Sequence, residues 1–344
     1  MNDFVKDYVA DAQVVLKSFP IVAFSIKKYQ FLPKKSVWFV KTNQKNYALK
    51  RYLLNEEQWQ FMISAYDRLS QEKIKYVAPL TKTKSGQLWI KYNGYYYILS
   101  DWVKGTVPHY TNERDLSMLA QGIAQLHLTS PSYNLPYKEH AEKNLGRWPE
   151  EMRRKQGLLL EYKYEAENES SVFFSKLYLR NYQIFFELFE EAAKTIESPL
   201  YSHWVKKIKK NTCLCINGFS PRNFSLGKED TVWFLHLDNI CIDLPARDLR
   251  KLLFKVMYIN NTWDPHLFSL ILRDYLQIHP LTTDELKVLL AELKAPHLFL
   301  NIASKYYLNR KPKWSKELFN SILTKTLRLE YEKLEVLKKF WQLI

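Results

Sequence analysis

The chain has 344 residues, 47% hydrophobic and 15% aromatic, which suits one large or two medium domains and excludes a disordered chain. Its 51 Lys and Arg against 36 Asp and Glu leave a net charge of +15, which admits an anionic ligand as a partner. The basic residues are scattered (Lys27-Lys28, Lys34-Lys35, Lys206 to Lys210, Lys338-Lys339) with no nucleic-acid motif beside them, so nucleic acid is not an expected partner.

Residues 1–101 read as a small β-rich lobe. A short helix from Val5 to Leu16 leads into strand-like runs at Ser36 to Lys41, Tyr47 to Tyr52, Leu88 to Tyr92 and Tyr95 to Leu99. Asn93-Gly94 between two aromatic runs is a strong hairpin signal, because both residues accept positive φ. Asn55 to Leu69 has helical spacing, with Asn55 as N-cap and Glu56 and Glu57 in the first turn. Asp101-Trp-Val-Lys-Gly105 reads as a linker into residues 102–344, a helical lobe. There Asn112 to Asp115 caps a helix, longer helical patterns run near Glu150 to Tyr164 and Ser175 to Ile196, and a hairpin over 212–238 interrupts them. Helices resume at Ala246, punctuated by Pro265, Pro280, Pro296 and Pro312.

The hairpin carries the chemistry. A kinase catalytic loop places an Asp five residues before a metal-binding Asn, and a second Asp on the next strand for Mg²⁺. Asn223 is present, but five residues earlier stands Gly218, which has no side chain to accept a proton. The metal-Asp position reads His236, and neutral imidazole is a poor Mg²⁺ ligand. On a strand, Leu235 and Leu237 face the core and His236 and Asp238 share the other face. Asp238 is therefore a weak metal candidate, as is Asn223; anchoring the following turn is the competing role for Asp238. Asp248 reads as a structural residue at a helix start.

Lys50, in Tyr-Ala-Leu-Lys on an alternating strand, is open to two readings. It is a phosphate lysine partnered by Glu56 or Glu57, or a solvent-facing strand lysine. The usual glycine-rich phosphate loop is missing: the first glycine is Gly86, and Phe31-Leu-Pro-Lys-Lys-Ser36 has only the charge of its lysines to attract phosphate. Three cysteines are too few for a disulfide framework; Cys213 and Cys215 share a strand face, and buried thiols of a reducing compartment are favoured over a metal site with His236. Asn2, Asp3 and Lys6 interrupt the start, so no signal peptide is expected. No apolar run of about 20 residues exists, so no membrane span is expected either.

Several stretches resemble the CotS-type spore-coat proteins of endospore-forming bacteria, in their YsxE-like branch. They are Tyr47 to Tyr52, Tyr97 to Trp102, Leu119 to His127, Leu145-Gly-Arg-Trp-Pro149, Cys215 to Phe224, Ala246 to Leu249 and Pro296 to Tyr307. The resemblance implies an α+β, two-lobed protein-kinase-like fold of the aminoglycoside phosphotransferase type. It implies synthesis in the mother-cell cytoplasm, deposition in the spore coat and other coat proteins as partners. Lys50, Glu56, Glu57, Asp101 and Asn223 carry over as nucleotide-pocket remnants, whereas the catalytic and first metal acids do not, being Gly218 and His236. The expectation is a coat protein on a degenerate kinase fold that needs no cofactor. The alternative is an ATP- and Mg²⁺-dependent phosphotransferase of a small hydroxyl-bearing substrate, using Asp238 and Asp243.

Overall fold

The computed structural model describes residues 3–71, 76–132 and 135–341. In chain order the elements are α1 (Asp3–Leu16), β1 (Ser25–Leu32), β2 (Lys35–Lys41), β3 (Asn46–Tyr52), α2 (Glu56–Ser70), β4 (Leu80–Thr81), β5 (Ile90–Tyr92) and β6 (Tyr95–Asp101). Then follow α3 (Glu113–Thr129), α4 (Lys138–Ala141), α5 (Trp148–Asn168), α6 (Phe173–Glu197), α7 (Pro199–Lys210), β7 (Leu214–Cys215), β8 (Phe224–Leu226), β9 (Val232–Phe234) and β10 (Cys241–Ile242). The chain ends in α8 (Pro245–Asn260), α9 (Pro265–Ile278), α10 (Thr283–Lys294), α11 (His297–Tyr307) and α12 (Lys316–Trp341). Among the described residues no helix is long and apolar enough to cross a membrane.

The residues group into two compact units, one of residues 1–108, 133–141 and 220–240, the other of 109–132, 142–219 and 241–344. The first is built on an antiparallel sheet in the order β1-β2-β3-β6-β4, with β5 also on β6. Period-2 alternation puts Trp38, Val40, Leu49, Tyr97 and Leu99 on one face, where Ala12, Val15 and Leu16 of α1 cover them. Lys50 and Tyr52 point to the other. Asn93 and Gly94 both have positive φ, 47° and 76°, as the β5–β6 hairpin turn requires. The Asn55 side chain caps α2 by accepting from Gln58 N–H at 2.9 Å.

The sequence reading did not identify β1. Lys27 and Lys28 break its alternation, and its register with β2 shifts between Lys28 and Gln30, so the period-2 signal is lost where the strand bulges. Residues 212–238 are also not one hairpin. β7 pairs with β10, and β8 pairs with β9. The β8–β9 ribbon packs in the first unit: Phe234 N–H donates to Tyr76 O at 2.6 Å, and the Tyr76 and Phe234 rings stack at 5.9 Å.

Thr106 and Leu226 exchange backbone hydrogen bonds of 3.0 and 2.8 Å, which rivets the segment after β6 to β8. Gly105 permits this approach, since a Cβ there would lie 2.4 Å from both Leu226 O and Ser225 Oγ. Gly105→Ala is expected to cost about 1–3 kcal/mol of stability by forcing that contact apart. Urea denaturation checks it, and an unchanged midpoint would show that the rivet is dispensable.

The second unit is helical, with α5 against α6 and α3 against α9. Helices α3, α9 and α10 begin on side-chain caps. Asn112 accepts from Asp115 N–H at 3.0 Å, Asp264 precedes Pro265 at the first position of α9, and Thr282 and Glu285 form a capping box.

Candidate functional site

In the first unit, β3 delivers Lys50 to the face of the sheet opposite α1. Its ammonium is buried, so the solvent-facing reading does not hold: only 4% of the residue is exposed. Nζ donates to Leu235 O at 2.9 Å and to Tyr66 Oη at 3.4 Å, with the Tyr66 ring 5.4 Å away. Burial and the neighbouring Lys35 lower the Lys50 pKa to about 7, against a smaller opposing pull from Asp238.

Glu56 and Glu57, expected as partners of Lys50, are engaged elsewhere. Glu56 accepts from Tyr96 Oη, from Gln60 at 2.8 Å and from Lys91 at 3.5 Å. Glu57 pairs with His140 at 2.6 Å. Both acids sit in the first turn of α2, where the helix dipole favours them, whereas the α2 residue that reaches Lys50 is Tyr66, more than two turns further on. A phenol thus stands where the pairing called for a carboxylate. Asp101, at the end of β6, pairs with Lys45 at 2.6 Å.

β9 ends at Phe234, so His236 lies on irregular chain beyond the strand and Asp238 in the turn that follows it. Leu237 is fully buried, and the two polar side chains meet residues of the β1–β2 hairpin. His236 Nε2 is 3.1 Å from Gln30 Oε1. Lys35 Nζ donates to both Asp238 oxygens, at 3.0 and 3.3 Å. That hairpin turns through only Pro33 and Lys34, with Leu32 opposite Lys35. It occupies the chain position of the phosphate loop, and its tight turn aims Lys35 at the carboxylate.

Asn223 ends a short 3-10 turn, where its N–H donates to Ser220 O and its carbonyl accepts from Leu235 N–H, both at 2.8 Å. The segments bearing Asn223 and Lys50's carbonyl partner are thereby joined. The cluster holds two lysines, one carboxylate and a histidine kept well below its usual pKa by burial, Lys35 and Lys50. Mg²⁺ prefers oxygen ligands in octahedral array. Here both oxygens of the only aspartate in the cluster face an ammonium, and the neighbouring position is a neutral imidazole. The residues do not fit a Mg²⁺–nucleotide centre.

The second unit holds the first half of the stretch expected to take the place of a kinase catalytic loop. Asp248, fully buried on α8, accepts from Ile216 N–H at 2.7 Å and Asn217 N–H at 2.9 Å. His127 stands 3.4 Å from Asp248 and 2.7 Å from Tyr275 Oη. Asn217 has a left-handed φ of 59°, and Lys251 Nζ grips both its backbone and side-chain oxygens. Just beyond it is Gly218; Phe219 O accepts from Tyr110 Oη at 3.3 Å. The loop is held in shape without its acid.

Asp243, the other acid of the phosphotransferase alternative, is fully buried. It accepts from Arg247 Nε at 2.7 Å, Trp148 Nε1 at 3.1 Å and Leu244 N–H at 2.8 Å. That contact explains the Gly-Arg-Trp-Pro stretch as a structural element. The histidine near the cysteines is His127, not His236: its ring, Cys213 and Cys215 bring their ligand atoms within 4.8 Å of one another, all buried. Both His127 nitrogens already have partners, so this group reads as packing around the Asp248 anchor. The sequence signal missed most was Lys35, visible only as one of two lysines in a proline-containing turn.

Comparison with known proteins gives one family match: residues 22–340 match the family described as "Spore coat putative kinase YutH". Spore coat protein S of Bacillus subtilis is 28% identical over 340 residues, covering 97% of this chain and 95% of that protein. Among solved structures, an aminoglycoside phosphotransferase from Alicyclobacillus acidocaldarius superposes with a TM-score of 0.83 at 15% identity, covering 96% of this chain and 95% of the other. A spectinomycin phosphotransferase in complex with ADP and spectinomycin gives 0.62 at 15% identity, covering 95% and 97%. The fold is therefore the aminoglycoside phosphotransferase-like kinase fold.

Proposed function

Because the chain belongs to the YutH family of spore-coat kinase-like proteins, we propose that it works in the coat as a structural or assembly component whose kinase fold no longer transfers phosphoryl groups. In this reading it is made in the mother-cell cytoplasm, joins the coat and engages other coat proteins there. The observation that carries the reading is the Lys35–Asp238 ion pair. An ammonium already neutralises the carboxylate that a metal would have to claim, and its own chain supplies it. Gly218 in place of the general base is a second, independent loss, and one such loss alone is worth roughly 10²- to 10⁴-fold in rate. The similarity to spore coat protein S supports a coat role.

The test is a phosphoryl-transfer assay on the purified chain with Mg²⁺ and γ-labelled ATP, against amino alcohols, aminoglycosides and sugars. The expected result is no label transferred, and no ATP hydrolysed, above a protein-free blank. Turnover on the order of 1 s⁻¹ with any acceptor, within the ordinary enzymatic range, would overturn the reading.

A further inference from the structure

The helical unit contains a slot that lies apart from the loop anchored by Asp248. Helices α6, α10 and α12 wall it, and Leu200 at the start of α7 lines one side; its volume is about 860 Å³. This is within the size range of small-molecule sites. The floor is leucine, from Leu188, Leu290, Leu334 and Leu337. Leu188, Leu290 and Leu337 are each buried, so the apolar lining is recessed and offers no broad exposed face. A partner protein needs roughly 800 Å² of surface on each side, more than a recessed leucine lining presents. A hydrocarbon chain suits it.

The mouth is unevenly charged, with Lys194, Lys287, Lys294 and Lys338 against Glu191 and Glu335. Lys294 pairs with Glu191, Lys287 with Asp284 at 3.3 Å and Lys194 with Glu190 at 3.7 Å. These pairs join exposed groups and are worth about 0–1 kcal/mol each, so they yield readily to an arriving anion. An apolar floor below a cationic rim selects a molecule with a tail and an anionic head.

We propose that this slot binds a single-chain anionic amphiphile of the long-chain carboxylate class, tail among the leucines and head among the lysines. The proposal does not depend on whether phosphoryl transfer survives.

The experiment displaces a fluorescent fatty acid from the full chain with decanoate or with decyltrimethylammonium, of matched tail length, below their micellar concentrations. Decanoate is expected to compete at least ten-fold better. Lys287→Glu with Lys338→Glu should weaken decanoate at least ten-fold and narrow the gap to the cation. Ala291→Phe should fill the slot and abolish binding. Should that variant fail to fold, as judged by melting, Leu200→Trp at the mouth replaces it. Equal competition by the two amphiphiles, or full binding by a folded slot-filling variant, would overturn the proposal. So would retention on anionic lipid vesicles that decanoate cannot compete away, which would mark a membrane surface as the ligand.

Discussion

Asp248→Ala is expected to lower stability by about 3–5 kcal/mol. The carboxylate is fully buried and accepts from two consecutive backbone N–H groups, Ile216 and Asn217, while facing His127. Removing it orphans the buried Ile216 N–H and the half-buried Asn217 N–H, at about 1–3 kcal/mol each, and leaves a void beside the imidazole. Asp248→Asn keeps one acceptor oxygen and turns an NH₂ toward the second N–H, so it should fall between wild type and alanine. Chemical denaturation of the three proteins decides the matter. A loss under about 1 kcal/mol for the alanine variant would mean that the loop is held by Lys251 and Tyr110 instead. The prediction bears on the loop's shape, which Asp248 holds although position 218 is a glycine.

Much of this was legible in the residues, and the parts that were not share a physical cause. Several short-range signals held: Asn55 and Asn112 cap their helices, and Asn93-Gly94 turns its hairpin. Partnerships between distant segments did not show. Lys50 and Tyr66 are 16 residues apart, and Lys35 and Asp238 are 203 apart. Nothing in an Ala-x-Lys stretch says whether the opposing helix presents its first turn or its third. The acids Glu56 and Glu57 were attractive because charge is easy to read, but the side chain in reach is set by helix direction and strand register. β1 was missed for a related reason, since a bulge erases the alternation by which strands are recognised.

The second large effect has the opposite sign. Lys50→Met is expected to stabilise the protein near pH 6.5 by about 2–3 kcal/mol. The folded pKa of Lys50 drops from 10.5 to about 7, so below pH 7 the fold carries a buried charge that costs roughly 4–5 kcal/mol relative to the unfolded chain. Methionine removes that cost and gives up the hydrogen bond to Leu235 O, worth about 1–2 kcal/mol. The sign follows from proton counts. Between pH 7 and 10.5 the unfolded lysine holds a proton that the folded one has released, so wild-type stability rises with pH through that window. It is complete above 10.5 and is lost as pH falls toward 7. The advantage of methionine should therefore shrink steadily and reverse by about pH 10, where only the missing hydrogen bond remains. Urea denaturation of both proteins at pH 6.5, 8 and 9.5 measures it as a difference in which other titrating groups cancel. A difference that does not change with pH would mean that Lys50 is not the strained cation described. The same comparison bears on the fate of the site. Lys50 and Lys35 lie beside one aspartate, so this corner of the fold holds an excess of buried positive charge whenever Lys50 is protonated. If the coat role proposed above holds, a methionine variant that gains stability and keeps that role shows the lysine to be dispensable for it; one that gains stability and loses the role shows that the buried cation serves it.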